Sequence, residues 1–378
     1  MRRSLIQPIQ ADLNRKIILV SGARQCGKTT LAKMLGEPYD YLNFDVAEHR
    51  IAIIEKSWDR KKPIIILDEL HKLKKWKSYL KGIYDDEGIP PGLVITGSAK
   101  LDTYKKVGDS LAGRFFSYRL HPFDLAELAQ IDTKLNTEKT LTQLLLLGGF
   151  PEPFLDGRET YYKRWRRSHL DIILRQDLLD LESVHEITSI ETLVQLLRKR
   201  VGSPVSYASL ARDLQCNDKT VRRWLSLLES MYVIFKVTPY HRNVARSLLK
   251  SAKYYFFDNG LVQGDQGTRL ENLVACALLK QLHFLQDCLG RELELFYLRN
   301  KDGREVDFLI SENLKPILLV EVKWADNTVA PSIGHFASML HVNKAIQIVK
   351  ELPREKTFAS GLEIRRAANW LASLPSTL

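Results

Sequence analysis

The stretch SGARQCGKTT, from Ser21 to Thr30, is the segment of this 378-residue chain that is most informative about its fold. It follows the apolar run KIILVSG (16–22) and precedes TTLAKMLG, whose apolar spacing is helical. The spacing GxxxxGK[ST] in that setting is typical of a phosphate-binding loop, in which backbone N–H groups, a lysine and a hydroxyl surround the phosphates and Mg²⁺. The sequence therefore predicts an ATP site formed by Gly22, Ala23, Arg24, Gln25, Cys26, Gly27, Lys28, Thr29 and Thr30.

Short apolar runs alternate with helical patterns through the first 130 residues or so. Such alternation indicates βαβ units and a mostly parallel, buried sheet. The predicted strands lie at 16–22, 39–45, 62–69, 92–99 and 115–123.

The strand PIIILDE ends on an acidic pair, Asp68 and Glu69. In a P-loop domain this position predicts a carboxylate that holds the Mg²⁺ shell, Asp68, and one that polarises the attacking water, Glu69. The alternative is that the pair only caps the next helix. Thr96 and Ser98, at the end of VITGSA, are candidates for positioning that water, or they form an ordinary polar strand end.

Arg114 directly precedes the fifth predicted strand. An arginine there is placed to reach the γ-phosphate bound by a neighbouring subunit, which would require a homo-oligomer. The alternative is a surface arginine that pairs with a local carboxylate.

The bulk composition favours an intracellular protein with a polyanionic partner. Lys and Arg total 56 against 45 Asp and Glu, a net charge of +11, which is compatible with DNA. Four scattered cysteines form no CxxC pair, so a reducing cytoplasm is expected. No run approaches the length of a membrane span, and the N-terminus has no apolar leader, so we expect no membrane contact.

A turn-linked pair of helices is predicted at 207–214 and 218–234. Asp218 is the expected cap of the second helix, and basic residues follow close behind it. In a helix-turn-helix these positions face DNA bases and phosphates, although such motifs also serve as protein-packing modules. The residues concerned are Lys219, Thr220, Arg222 and Arg223.

Two later strands, REVDFLI (304–310) and PILLVEVKW (316–324), carry Asp307, Glu321 and Lys323. Alternation puts Glu321 and Lys323 on one face, and Glu271 opens a preceding helix. Neighbouring carboxylates can hold Mg²⁺ while a lysine orients water for attack on phosphorus. We predict a metal and cleavage site from Glu271, Asp307, Glu321 and Lys323; the alternative is an ion pair on a solvated strand.

The ordered motifs GARQCGKTT, IIILDELHKLKKW, VITGSA, SLAGRFFSYRLHPF, GGFPEP, ENLVACALL, REVDFLI and LLVEVKW resemble those of prokaryotic AAA+ ATP-binding proteins. That family has a C-terminal domain of unknown function with a PD-(D/E)xK nuclease-like core. The resemblance implies an AAA+ core with a parallel α/β sheet (1–134), a helical lid (135–200), a winged helix-turn-helix (201–262) and a restriction-endonuclease-like α/β domain (263–378). It also implies ATP and Mg²⁺ as cofactors. The motif proline is absent here, because Val306 precedes Asp307.

These features together predict a Mg²⁺-dependent ATPase that drives or gates a DNA-binding, and in one version DNA-cleaving, C-terminal module. The alternative is an ATP-dependent regulatory or protein-binding switch in which the nuclease-like fold is an inactive scaffold. A superfamily 2 helicase is rejected, since no second RecA-like domain with an arginine-rich motif follows residue 130.

Overall fold

The computed structural model describes residues 3–97, 111–177, 184–241 and 251–377. Contacts divide the chain into two compact units, which are treated separately below. The first contains the chain up to Pro122 with the short pieces Ser230–Tyr232 and Asp287–Gly290; the second contains the remainder. The four predicted domain ranges stay predictions.

The first unit is built on a five-stranded sheet in the order β2-β3-β4-β1-β5, with every neighbouring pair parallel. All five predicted strands are confirmed. They are β1 (Ile17–Gly22), β2 (Tyr39–Asn43), β3 (Ile64–Asp68), β4 (Gly92–Thr96) and β5 (Phe115–Leu120). The connecting helices are α1 (Ile6–Asp12), α2 (Lys28–Lys33), α3 (Ala47–Glu55) and α4 (Trp76–Asp86).

Every residue of the three central strands β1, β3 and β4 is buried. This explains their unbroken apolar sequences, because a parallel sheet covered on both faces has no solvent side to pattern. The sheet is therefore a rigid base for the loops that follow its carboxyl ends.

The second unit begins with helices. These are α5 (Leu125–Ile131), α6 (Thr137–Leu147), α7 (Pro151–Asp156), α8 (Glu159–Asp171), α9 (Val184–Arg198), α10 (Tyr207–Asp213) and α11 (Asp218–Ser230), with a π-helical turn at Ile172–Asp177. Gly148, Gly149 and Phe150 of the GGFPEP motif separate α6 from α7, and Pro151 begins α7. Gly148 has φ 68°, and a Cβ there would lie 2.3 Å from Asp258 Oδ1, so the break requires glycine.

An eight-stranded mixed sheet completes this unit, in the order β12-β13-β11-β10-β9-β8-β6-β7. Its strands are β6 (Ile234–Pro239), β7 (Lys253–Phe256), β8 (Leu293–Arg299), β9 (Glu305–Glu312), β10 (Lys315–Lys323), β11 (Ala345–Val349), β12 (Lys356–Thr357) and β13 (Leu362–Arg366). The accompanying helices are α12 (Gln266–Leu289), α13 (Pro331–Leu340) and α14 (Ala367–Ala372).

The antiparallel pair β6–β7, which falls within the range 201–262 predicted for the winged helix-turn-helix, continues into the C-terminal strands, because β6 also pairs with β8. Within the described ranges, no helix has the length and apolar character needed to cross a membrane.

Candidate functional site

The carboxyl ends of the parallel strands bring the predicted nucleotide residues to one edge of the first sheet. In the strand register Asp68 of β3 lies beside Asn43 of β2 and Thr96 of β4. Open α/β sheets bind their ligands at this edge, outside the carboxyl ends of the strands, so polar side chains here are candidate ligand contacts.

The phosphate loop has the backbone that its glycines require. Gly22 has φ 145°, and a Cβ there would lie 2.2 Å from Leu120 O. Gln25 and Gly27 also adopt positive φ angles, 59° and 96°. Lys28 begins α2, is only 8% exposed, and donates from Nζ to Gly22 O (3.1 Å) and Ala23 O (2.7 Å). The loop thus holds the ammonium group in its own concavity.

Asp68 connects the loop to the sheet. Thr29 Oγ1 donates to Asp68 Oδ2 over 2.8 Å, and the Glu69 backbone N–H donates to Oδ1 over 3.1 Å. The Thr96 hydroxyl also donates to Oδ1. A hydroxyl and a carboxylate in direct contact beside a phosphate loop are oxygen donors of the type Mg²⁺ prefers, so these residues fit the ion.

Glu69 follows directly after β3 and adopts φ 57°, in the left-handed region of the backbone. Its Oε2 is buried without a hydrogen-bond partner in the described residues and lies 3.6 Å from Lys72 Nζ. Burial raises the pKa of this carboxyl group, and the charge of Lys72 partly opposes the rise. A carboxylate with an uncommitted oxygen is suited to accept a hydrogen bond from water.

Tyr41 is a site residue that the sequence analysis missed. It lies on β2, and its hydroxyl donates to Asp68 Oδ2 over 2.9 Å. Burial, and then the hydrogen bond to Asp68, raise the pKa of Tyr41 to about 12, so it stays a donor. Its proximity to Asp68 follows from the pairing of β2 with β3, for which the sequence carries no signal.

Arg114 forms a two-pronged ion pair with Asp85 (2.7 and 3.1 Å), which is the local pairing considered as its alternative role. Cys26 is fully buried, with Sγ 3.5 Å from Leu120 O. Arg24 and Thr30 belong to the loop and to α2 respectively. Ser98 lies outside the described residues.

In the second unit, α10 and α11 have the spacing of the predicted helix-turn-helix. Asn217, rather than Asp218, caps α11, because its Oδ1 accepts from Thr220 N over 2.8 Å and Asp218 is already helical. Gln215 takes φ 51° in the turn. Lys219, Arg222 and Arg223 are exposed; the Arg222 guanidinium lies 4.1 Å from the Tyr207 ring, and Arg223 pairs with Glu186.

The two strands predicted to carry the nuclease motif are adjacent and antiparallel. Asp307 Oδ2 accepts from Val322 N over 2.8 Å, and Lys323 Nζ lies 2.6 Å from Glu321 Oε1. Burial and the Asp307 charge raise the pKa of Glu321 to about 7. Glu321 Oε2 is buried without a hydrogen-bond partner in the part of the chain described.

Lys253 is the second residue that the sequence analysis missed. Its side chain is 1% exposed, and Nζ lies 2.6 Å from Glu305 Oε1, 3.3 Å from Glu271 Oε1 and 3.9 Å from Asp307 Oδ1. Burial works to lower the pKa of Lys253, but these three carboxylates outweigh it and raise the pKa. Tyr255 also donates to Glu271 Oε1, over 2.7 Å.

The metal arrangement stays a prediction. Glu271, Asp307 and Glu321 lie in one neighbourhood, but over residues 3–97, 111–177, 184–241 and 251–377 no three acidic, histidine or cysteine side chains are grouped to hold an ion. Two of the three acids, Glu271 and Asp307, lie within 4 Å of the Lys253 ammonium group.

Comparison with known proteins supports the ATPase part of the chain. Residues 14–129 match the family model of an AAA domain, and residues 138–268 and 266–362 match two domains of unknown function, DUF8612 and DUF4143. The chain thus carries an AAA-type P-loop ATPase domain on a parallel α/β sheet, which confirms that part of the resemblance. The winged-helix and nuclease-like assignments stay predictions.

Relatives that match most of the chain are found in several organisms. An uncharacterised protein of Mycobacterium tuberculosis is 27% identical over 83% of this chain and 75% of its own. One of Haemophilus influenzae is 23% identical over 97% of both chains. The Thermotoga maritima RuvB Holliday junction branch migration motor aligns with 62% of this chain and 87% of its own at 17% identity; its TM-score of 0.32 is too low to support an argument.

Proposed function

We propose that the protein is a Mg²⁺-dependent ATPase whose nucleotide state controls a DNA-binding C-terminal part. One observation carries the ATPase proposal: Thr29 and Asp68 are joined at 2.8 Å beside a loop that holds Lys28. Both the hydroxyl and the carboxylate are needed where a nucleotide-bound Mg²⁺ is held.

Each residue has a separate task in this proposal. Lys28 exchanges its loop carbonyls for the β/γ-phosphate oxygens, and Thr29 and Asp68 hold the Mg²⁺ shell. A Mg²⁺ ion held there would neutralise charge on the phosphates. Glu69 accepts a hydrogen bond from the attacking water through its buried Oε2, and Thr96 keeps Asp68 oriented.

Arg114 completes the site only if it leaves Asp85. We infer that a neighbouring subunit's nucleotide would attract it, since γ-phosphate charge competes with a carboxylate for the guanidinium. A homo-oligomer, rather than a monomer, is then the hydrolysing form.

The ATPase proposal is tested by turnover in two variants. Lys28→Ala should abolish nucleotide binding, while Glu69→Gln should bind ATP and lose most hydrolysis, because the amide cannot polarise water as a carboxylate does. The assay pairs phosphate release with a fluorescent-nucleotide titration. Full turnover in both variants would refute the proposal.

The proposed DNA contact is supported by the spacing of α10 and α11 and by the antiparallel β6–β7 pair that follows them. Exposed cations lie near the start of α11, where a recognition helix meets the major groove. Arg222, held against Tyr207, is pre-oriented to meet a phosphate or base edge.

A second candidate concerns the carboxylates of the nuclease-like part, for which cleavage and an inactive scaffold were both left open. The short Lys253 contacts favour the scaffold, because they compensate the acidic charge that a catalytic metal would need. We therefore expect no nicking of supercoiled plasmid in Mg²⁺ or Mn²⁺. Nicking that disappears in Asp307→Asn and in Lys323→Ala would restore the cleavage proposal.

A further inference from the structure

Four carboxylates and two lysines from four different elements meet in the second unit. We call them the acidic cluster: Glu271 of α12, Glu305 and Asp307 of β9, and Glu321 of β10, with Lys253 of β7 and Lys323 of β10.

The charged end of Lys253 is buried among carboxylates, unlike that of an ordinary surface lysine. Its side chain is 1% exposed, yet its Nζ has carboxylate oxygens at 2.6, 3.3 and 3.9 Å. Burying an ammonium group is expensive unless opposite charges surround it, so this position is maintained only because β9 and α12 deliver those acids. The lysine in turn joins three elements that are far apart in sequence.

One oxygen of Glu271 and one of Asp307 are already engaged in hydrogen bonds, whereas Glu321 Oε2 has no hydrogen-bond partner within the described residues. Glu271 Oε1 accepts from both Tyr255 and Lys253, and Asp307 Oδ2 accepts from Val322 N. A metal needs several oxygens at about 2.0–2.6 Å around one point, and the ammonium charge would repel it at this range.

We propose that the Lys253 ammonium is the permanent cation of the acidic cluster, taking the place that a divalent ion occupies in metal-dependent phosphodiesterase sites. The second unit then keeps its sheet and α12 together without metal. Lys323 plays the corresponding part for Glu321. This inference does not depend on ATP hydrolysis.

The test measures Mn²⁺ binding to the full-length protein without nucleotide, by loss of the free-ion electron paramagnetic resonance signal. A Thr29→Ala background removes the hydroxyl that would hold an ion at the nucleotide loop. In this background we expect no Mn²⁺ site that responds to Asp307→Asn or Glu321→Gln. The second substitution is included because Glu321 Oε2 has no hydrogen-bond partner within the described residues.

Lys253→Met, which keeps an unbranched side chain one atom shorter and removes its charge, should gain one Mn²⁺ per chain and lose it again with Asp307→Asn. A Mn²⁺ site already present with Lys253 and lost in Asp307→Asn or Glu321→Gln would overturn the proposal. A folded Lys253→Met protein that binds no Mn²⁺ would overturn it too. If Lys253→Met does not fold, the comparison made with Lys253 in place decides alone.

Discussion

Asp68 accepts hydrogen bonds from four groups on separate segments: the hydroxyls of Thr29, Tyr41 and Thr96, and the backbone N–H of Glu69. A carboxylate bound in this way has a fixed orientation before nucleotide arrives. Preorganisation of this kind lowers the cost of assembling a catalytic site. The sequence motif identifies Thr29 and Asp68, but it does not identify Tyr41, because nothing in a β2 pattern shows which strand it will pair with.

Tyr41→Phe should reduce ATP hydrolysis while leaving the fold intact. The substitution removes one hydrogen bond to a charged group, worth about 1.5–3 kcal/mol, which corresponds to roughly 10- to 100-fold in kcat/KM. Steady-state phosphate release measures the effect. Tyr39→Phe, on the same strand, is the matched control, and equal rates for both variants would contradict the role given to Tyr41.

At the scale of elements, the strands of the first sheet could be predicted because apolar runs, helical spacing and the phosphate loop agree with one another. The acidic strands β9 and β10 were also predicted, and their pairing brings Asp307 close to Val322. The position of Lys253 could not be predicted. Its partners come from α12 and β9, so the contact depends on tertiary packing that a local pattern does not encode.

The turn after β7 contains another buried acid, Asp258, which accepts hydrogen bonds from Tyr162 (2.8 Å) and Gly260 N (3.1 Å). Burial raises its pKa from 3.8 to about 6, although Tyr162 and Gly260 oppose the rise. The pKa of Asp258 is higher in the folded state than in the unfolded state. The stability that protonated Asp258 contributes is therefore fully present below about pH 4 and is lost as pH rises through 6.

The free energy of unfolding of the Asp258→Asn variant should therefore increase, relative to that of the unsubstituted protein, by up to about 3 kcal/mol between pH 4 and pH 7. Urea unfolding at a series of pH values measures this difference. Asp265→Asn is the control, because the hydrogen bonds from Thr268 lower the pKa of Asp265, so its contribution is lost only as pH falls below about 4 and changes little between pH 4 and pH 7. An Asp258→Asn difference that does not change with pH would contradict the assignment.

In the proposed contact with DNA, the net charge of +11 would give the whole chain a general attraction for polyanions, and α11 would supply the defined place of contact. The two contributions can be separated by measuring DNA affinity over a series of salt concentrations in the unsubstituted protein and in variants of α11. Each neutralised phosphate adds roughly 0.9 to the slope of log affinity against log salt.

The double variant Lys219→Ala with Arg222→Ala should lower that slope by roughly two for duplex DNA. Fluorescence anisotropy over a salt series measures it. Lys139→Ala, on α6, should leave the slope unchanged. If the double variant keeps the original slope, α11 is not the DNA-contacting helix.

In the proposed function, the nucleotide state of the first unit controls the affinity of the protein for DNA, and one equilibrium measurement tests this coupling. Glu69→Gln protein should bind ATP without hydrolysing it, so its DNA affinity can be measured at equilibrium with and without Mg²⁺-ATP. We predict affinities that differ by roughly fivefold or more, as expected for coupled sites, and no difference in Lys28→Ala. Identical DNA affinities with and without ATP in the Glu69→Gln protein would contradict the account.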